Sequence, residues 1–117
     1  MAEEKQEQPK IDQETQEKIQ ALQIYEQNFQ SIIMQKQAFQ VELHETEKAL
    51  EEIKESKEDV FKIIGQIIIK TTREKLEEEL KKKKELLSLR LSSIEKQEEE
   101  LTKELEKLRQ ELMEKFK

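Results

Sequence analysis

Histidine and cysteine, which often act as general bases, nucleophiles and zinc ligands, are nearly absent from this sequence. The chain has a single histidine, His44, and no cysteine, so it offers no thiol nucleophile and no cysteine-based zinc site. Its 28 acidic residues are spread along helix-forming sequence, with no cleft to gather a carboxylate pair for acid–base catalysis. A phosphate-binding loop requires several glycines, and Gly65 is the only one. We therefore predict a protein that is not an enzyme and binds no metal or cofactor.

The strongest run of positive charge, Lys81–Lys84, follows three glutamates, Glu77–Glu79, with one leucine between. This spacing predicts i,i+4 ion pairs along a helix, each contributing about 0.2–0.5 kcal/mol: Glu77–Lys81, Glu78–Lys82 and Glu79–Lys83. The net charge of −6 also disfavours nucleic acid as a partner. No stretch approaches the roughly 18 apolar residues that a membrane span needs. The N-terminus lacks the apolar core of a secretory signal, and we expect a cytoplasmic protein.

Two heptad patterns dominate the rest of the chain and predict two long coiled-coil helices, at about residues 12–56 and 72–116. In each pattern, eight of the ten seam positions are apolar or aromatic. The first seam contains Leu22, Tyr25, Phe29, Ile32, Lys36, Phe39, Leu43, Thr46, Leu50 and Ile53. The second contains Leu80, Lys84, Leu87, Leu91, Ile94, Glu98, Leu101, Leu105, Leu108 and Leu112. Residues 1–10 are expected to form a flexible polar tail before a single domain, residues 11–117.

The segment between the helices has a different composition. Seven of the ten residues in Val60–Ile69 are Val, Phe or Ile, and they surround Gly65. β-Branched and aromatic residues around a glycine are typical of two short strands joined by a tight turn. We therefore predict a β-hairpin at about residues 60–71, and an antiparallel arrangement of the two helices that flank it.

This hairpin would be apolar on both faces, because side chains alternate between the faces of a strand. An isolated two-stranded hairpin is marginally stable in water. Full burial of each apolar side chain would contribute about 1.5–3 kcal/mol of stability. This contribution is lost for all seven side chains if the hairpin stays exposed to water. We expect several chains to pool their hairpins in a closed intersubunit sheet or barrel. The predicted interface residues are Val60, Phe61, Ile63, Ile64, Gly65, Ile67, Ile68 and Ile69.

The sequence resembles the β-type subunits of the prefoldin family from about Ile11 onward. The most specific match is the hairpin and its exit, Val-Phe-Lys-Ile-Ile-Gly at residues 60–65 followed by Ile-Ile-Ile-Lys-Thr-Thr-Arg-Glu-Lys at residues 67–75. Supporting matches lie at residues 45–53 and 94–98. The α-type subunits of the family carry two β-hairpins, whereas this chain has room for one.

The resemblance implies an archaeal-type, ATP-independent chaperone built as a hexamer of two α-type and four β-type subunits. Its pooled hairpins would form a double β-barrel from which coiled-coil tentacles extend. Non-native polypeptides would be held at the tentacle tips and passed to a group II chaperonin. In this sequence the predicted tip residues are Ile11, Ile19, Leu22, Ile24, Leu108, Leu112, Met113 and Phe116.

Alternatives remain for both the function and the tip. A structural coiled-coil adaptor or tether would explain the heptads, although not an apolar hairpin between them. The tip residues that lie off the strict seam, such as Ile24 and Met113, could form an adaptable surface for unfolded clients. They could instead only widen the packing between the two helices.

Overall fold

The computed structural model describes residues 12–116. Two long helices flank an antiparallel β-hairpin: α1 spans Gln13–Glu55, β1 Val60–Ile64, β2 Ile67–Thr71 and α2 Arg73–Lys115. The prediction of a mainly helical fold with one central β-hairpin is confirmed. The predicted polar tail, residues 1–10, lies outside the described residues.

Polar side chains cap the first turn of each helix. The backbone N–H of Thr15 donates a hydrogen bond of 2.8 Å to Oδ1 of Asp12, immediately before α1. At α2, the N–H of Lys75 donates to the hydroxyl of Thr72 at 3.2 Å. Both bonds satisfy backbone donors that have no partner within the helix. Thr72 rather than Thr71 caps α2, because Thr71 is the last residue of strand β2.

The hairpin turns through two residues, Gly65 and Gln66, because Ile64 pairs with Ile67. Gly65 has φ of +60°, and no other described residue has a positive φ. A positive φ at the first turn residue alone fits a type II′ turn, whose twist matches that of the strands. A Cβ at Gly65 would meet nothing within 4 Å. The backbone conformation, rather than a lack of space, therefore favours glycine here.

The chain forms two compact units. The hairpin unit is Ile33–Lys96 and contains both strands, whereas the terminal unit combines the residues up to Ile32 with those from Gln97 onward. The hairpin unit buries the apolar side chains of Leu50, Ile53, Leu87 and Ile94. The terminal unit buries those of Leu105 and Leu112. All six occupy predicted seam positions.

Ion pairs link the side chains at the surface of the hairpin unit. Two of the three predicted pairs within α2 form, Lys81–Glu77 at 3.0 Å and Lys82–Glu78 at 3.4 Å. The predicted Glu79–Lys83 pair is wrong, because both residues bond to other elements. Lys83 lies 3.4 Å from Glu42 of α1, and Glu79 bonds to Lys62 of strand β1.

Two neighbouring leucines of α2 test the seam. Leu87 is 2% exposed and Leu89 is 69% exposed. We expect Leu87→Ala to lower the free energy of unfolding by about 2–5 kcal/mol through lost burial and a residual cavity. Leu89→Ala, the matched control, should change it by less than about 0.5 kcal/mol. Urea unfolding followed by circular dichroism measures both, and equal losses would contradict the assigned seam.

Candidate subunit and client interfaces

The strand register assigns each hairpin residue to one of two faces. Ile63 lies opposite Ile68, and Phe61 opposite Lys70. Directly opposed residues share a face, so these four form one face, which we call the open face. The other face, here called the anchored face, contains Val60, Lys62, Ile64, Ile67, Ile69 and Thr71.

The two faces differ in exposure. On the open face, Phe61, Ile63 and Ile68 are 54%, 73% and 68% exposed. On the anchored face, Val60, Lys62 and Thr71 are half-buried, whereas Ile64 and Ile67 beside the turn are exposed. The anchored face is therefore covered at its end near the helices, while the open face is uncovered throughout.

Both strands of the hairpin are edge strands, since the described sheet has two strands. Ile64 and Ile67 flank a two-residue turn and form a hydrogen-bonded pair. Pairing alternates along antiparallel strands. The backbone groups of Phe61 and Ile63 on β1, and of Ile68 and Lys70 on β2, consequently point towards the free edges. Ile63 and Ile68, the two most exposed apolar side chains of the hairpin, therefore also offer free backbone hydrogen-bonding groups, and such edges can pair with another chain.

Charged side chains bound the apolar surface of the hairpin. The Nζ atom of Lys62 donates to both carboxylate oxygens of Glu79 in α2, at 3.1 and 3.2 Å. Lys70 lies 3.3 Å from Asp59, which directly precedes β1. The first pair ties the hairpin to a helix, whereas the second stays within the hairpin and its flanking residue.

In the terminal unit, ion pairs join α2 to α1 and to Asp12, the residue that caps α1. Lys115 Nζ lies 2.9 Å from Oδ2 of Asp12. Lys18 lies 3.4 Å from Glu111, and Arg109 lies 3.8 Å from Glu26. As the residue number rises along α1, that of the partner on α2 falls, which is the antiparallel order predicted from the hairpin between the two helices.

The predicted client-binding residues of the terminal unit fall into three exposure classes. Ile24, Met113 and Phe116 are 55%, 71% and 57% exposed. Ile19, Leu22 and Leu108 are half-buried. Leu112 is buried and belongs to the packing between the helices. Ile11 lies outside the described residues.

Four exposed apolar residues of the hairpin unit were not predicted as surface sites: Met34, Val41, Leu86 and Leu89. All four lie outside the heptad seams, and that position is the signal that could have identified them. Scattered exposed apolar residues are normal on protein surfaces. These four residues are therefore not assigned to a binding surface.

The remaining candidates for chemistry lie apart from these surfaces. His44 is exposed in an open groove of α1 beside Glu47, Lys48 and Glu51. Across residues 12–116, no group of three acidic, histidine or cysteine side chains is arranged to hold a metal. Within the same range, neither helix has the length and apolarity to cross a membrane.

Comparison with known proteins identifies the architecture. The prefoldin subunit family matches residues 16–117. The prefoldin β subunit of Pyrococcus furiosus is 41% identical over 93 residues, covering 78% of this chain and 80% of that protein. The prefoldin β subunit of Thermococcus onnurineus is 44% identical over 90 residues, covering 75% of this chain and 78% of that protein.

A solved structure gives the same result. The crystal structure of the prefoldin β subunit from Thermococcus strain KS-1 superposes with a TM-score of 0.81 at 37% identity. The match covers 92% of this chain and 96% of that one. Two long helices around a single β-hairpin thus define a prefoldin-type chaperone subunit. The chain belongs to the prefoldin family, and its resemblance to the β-type subunits is confirmed.

The environment of the Asp12 carboxylate predicts that the stability of the terminal unit depends on pH. Its hydrogen bond from Thr15 and its pairing with Lys115 hold the pKa of Asp12 well below the ordinary value of 3.8. A lowered folded-state pKa gives stability that is present above pH 3.8 and is lost as the pH falls towards the folded pKa.

Two substitutions separate the roles of Asp12. Asp12→Asn keeps an oxygen for the Thr15 amide but removes the charge beside Lys115, whereas Asp12→Ala removes both. At pH 7, protection of the first-turn amides against hydrogen exchange should fall from wild type to Asn to Ala. The difference between wild type and Asn should shrink below pH 3.8. An unchanged difference would contradict a charge effect.

Proposed function

We propose that this chain is a β-type subunit of an ATP-independent chaperone that holds unfolded polypeptides and delivers them to a group II chaperonin. It joins an α-type subunit and further β-type copies in an α2β4 hexamer, through an intersubunit β-barrel made of hairpins. Residues 11–117 act as a single prefoldin-like domain, and the complex works in the cytoplasm without a cofactor and without binding nucleic acid or a membrane.

The exposed apolar hairpin is the observation that carries this proposal. Both edges of the described hairpin are free. Six of its large apolar side chains are between 40% and 73% exposed: Phe61, Ile63, Ile64, Ile67, Ile68 and Ile69. Val60 and Gly65 complete the proposed interface, Val60 by packing and Gly65 by forming the turn. Strand pairing along the edges would satisfy backbone groups while the apolar side chains become buried.

The exposed apolar residues of the terminal unit provide a surface for clients. Ile24, Met113 and Phe116 would contact unfolded chains directly, and Ile11 is a further proposed client contact. Ile19, Leu22 and Leu108 contribute their partly exposed atoms, while buried Leu112 supports the surface from within. Such contacts have no fixed hydrogen-bonding pattern, which allows one surface to accept many sequences.

Holding a client requires neither a catalytic residue nor nucleotide hydrolysis. A single small apolar surface binds weakly. Six subunits on one assembly can reach the same client together, and effective concentration raises avidity by about 10²–10⁴-fold. Assembly through the hairpin unit and client binding through the terminal unit are thus coupled by multivalency.

Assembly can be tested on the open face of the hairpin. Mixing the chain with an α-type prefoldin subunit should give a species of six chains by light scattering. The double substitution Ile63→Thr with Ile68→Thr preserves β-branching but should weaken association by about 100-fold or more per subunit. Val41→Thr, an equally conservative change at an exposed apolar site of α1, should leave association unchanged. Normal assembly of the hairpin variant would contradict the proposed interface.

Client binding can be tested separately in the assembled complex. Ile24→Ser, Met113→Ser and Phe116→Ser together should abolish suppression of aggregation of an unfolded model protein while leaving the six-chain species intact. The control Met34→Ser with Leu89→Ser removes exposed apolar surface from the hairpin unit and should retain suppression. Retained suppression in the first variant would show that clients bind elsewhere.

Two further results separate this function from a structural adaptor. The wild-type complex should slow aggregation without ATP, and addition of a group II chaperonin with ATP should increase the yield of refolded client. A stable two-chain species that is inert towards unfolded proteins would instead identify an adaptor or tether.

A further inference from the structure

Lys62 is the only charged residue on the anchored face of the hairpin. Its side chain is 31% exposed, and its Nζ atom contacts both carboxylate oxygens of Glu79. Lys62 belongs to strand β1, whereas Glu79 lies in the second turn of α2, the helix that follows strand β2. The pair therefore joins α2 to β1, the strand that is not directly connected to α2 along the chain.

The covalent connections leave the tilt of the hairpin incompletely fixed. A single residue, Thr72, separates β2 from α2, and its two backbone dihedrals form a pivot. On the other side, four residues, 56–59, join α1 to β1. Around this second connection, the N–H of Glu58 donates to Ser56 Oγ at 3.3 Å, a bond that lies within the connection and does not reach β1. The Lys62–Glu79 contact provides a second point of attachment to α2, on the strand that Thr72 does not hold.

We propose that Lys62 and Glu79 form a clamp that fixes the tilt of the hairpin relative to α2 and so positions the open face for a neighbouring subunit. This inference rests on the proposed assembly through the hairpin. With the anchored face tied to α2, Phe61, Ile63 and Ile68 stay on the uncovered side. The clamp acts by preorganisation, since a hairpin already held in its assembled orientation loses less conformational freedom on association.

The second ion pair of the hairpin provides a contrast. Lys70 and Asp59 have side chains that are each 67% exposed, and the pair joins β2 to the residue before β1. It cannot set the tilt of the hairpin relative to α2, because it contacts neither helix. Within α2, the Glu78–Lys82 pair is likewise separate from the hairpin. Substitutions in these two pairs supply controls that remove the same type of charge at sites more exposed than those of Lys62 and Glu79.

The clamp predicts a selective effect on assembly. Lys62→Gln and Glu79→Gln should each weaken association with an α-type subunit by roughly two- to five-fold per subunit, the range for a partly exposed ion pair. Mass photometry over a dilution series measures this shift with the full chain. Lys70→Gln and Glu78→Gln should have no effect. Equal effects of all four substitutions would indicate a general charge effect and overturn the proposal.

Rescue distinguishes a clamp from a local loss of stability. Lys62→Glu alone places two carboxylates together and should weaken assembly further, whereas Lys62→Glu combined with Glu79→Lys should restore it. Lys62→Arg should retain assembly. Failure of the charge reversal to restore association would overturn the clamp. If wild type assembles and Lys62→Gln has no effect, the clamp fails while the proposed function stands; if wild type does not assemble, the proposed function itself fails.

A measurement on the free chain tests the clamp independently of assembly. The natural sequence has no cysteine, so Gln66→Cys with Ser92→Cys places spin labels only on the turn and on an exposed site of α2. The distance distribution between them should broaden when Lys62→Gln is added and should not change with Lys70→Gln. An unchanged width with Lys62→Gln would overturn the proposal, whatever the outcome of the assembly experiments.

Discussion

Burial of the β-hairpin is the constraint on which the rest of this protein depends. Two five-residue strands expose Phe61, Ile63 and Ile68 on one face and leave both edges unpaired. An isolated sheet of this size cannot bury these side chains and satisfy the outward-pointing backbone groups by itself. A closed sheet formed by several chains removes both costs together. Association of several chains answers this requirement, and family membership implies association with other prefoldin subunits.

The two helices solve a different physical problem. Their cores are narrow, with buried residues such as Leu87 and Leu105 spaced at heptad positions and a highly charged surface around them. Ion pairs across the helices, including Lys84–Glu47 and Arg109–Glu26, accompany this apolar seam. Exposed pairs contribute little individually, so the seam supplies most of the stability. The charged surface leaves only a few exposed apolar residues that could contact a client.

Separation of assembly and client binding follows from this division of residues. The proposed subunit interface lies in the hairpin unit, whereas Ile24, Met113 and Phe116 lie in the terminal unit. We therefore expect substitutions in one proposed surface to leave the other intact. Weak apolar contacts would suit the proposed holding and release of a client, since affinity would come from the number of subunits engaged rather than from any single site. The positioning of the hairpin by Lys62 connects the geometry of one subunit to this multivalency.

The sequence by itself determined the features that depend on neighbouring residues. Heptad spacing identified the buried leucines, and the β-branched run around Gly65 predicted two strands and a tight turn, because periodicity and turn conformation are local properties. The recognisable hairpin sequence also indicated the family. The eight residues of each proposed interface could be chosen from the sequence by residue type and position. How exposed each of them is could not be predicted from the sequence.

Tertiary structure decided which groups meet and which atoms stay exposed. Local spacing paired Glu79 with Lys83, yet Glu79 bonds to Lys62 on the hairpin and Lys83 bonds to Glu42 on α1. The tertiary structure likewise tied one face of the hairpin to α2 and left the other face open. These outcomes depend on how separate elements approach one another. Long side chains such as lysine can reach several partners, and helical spacing alone cannot rank them.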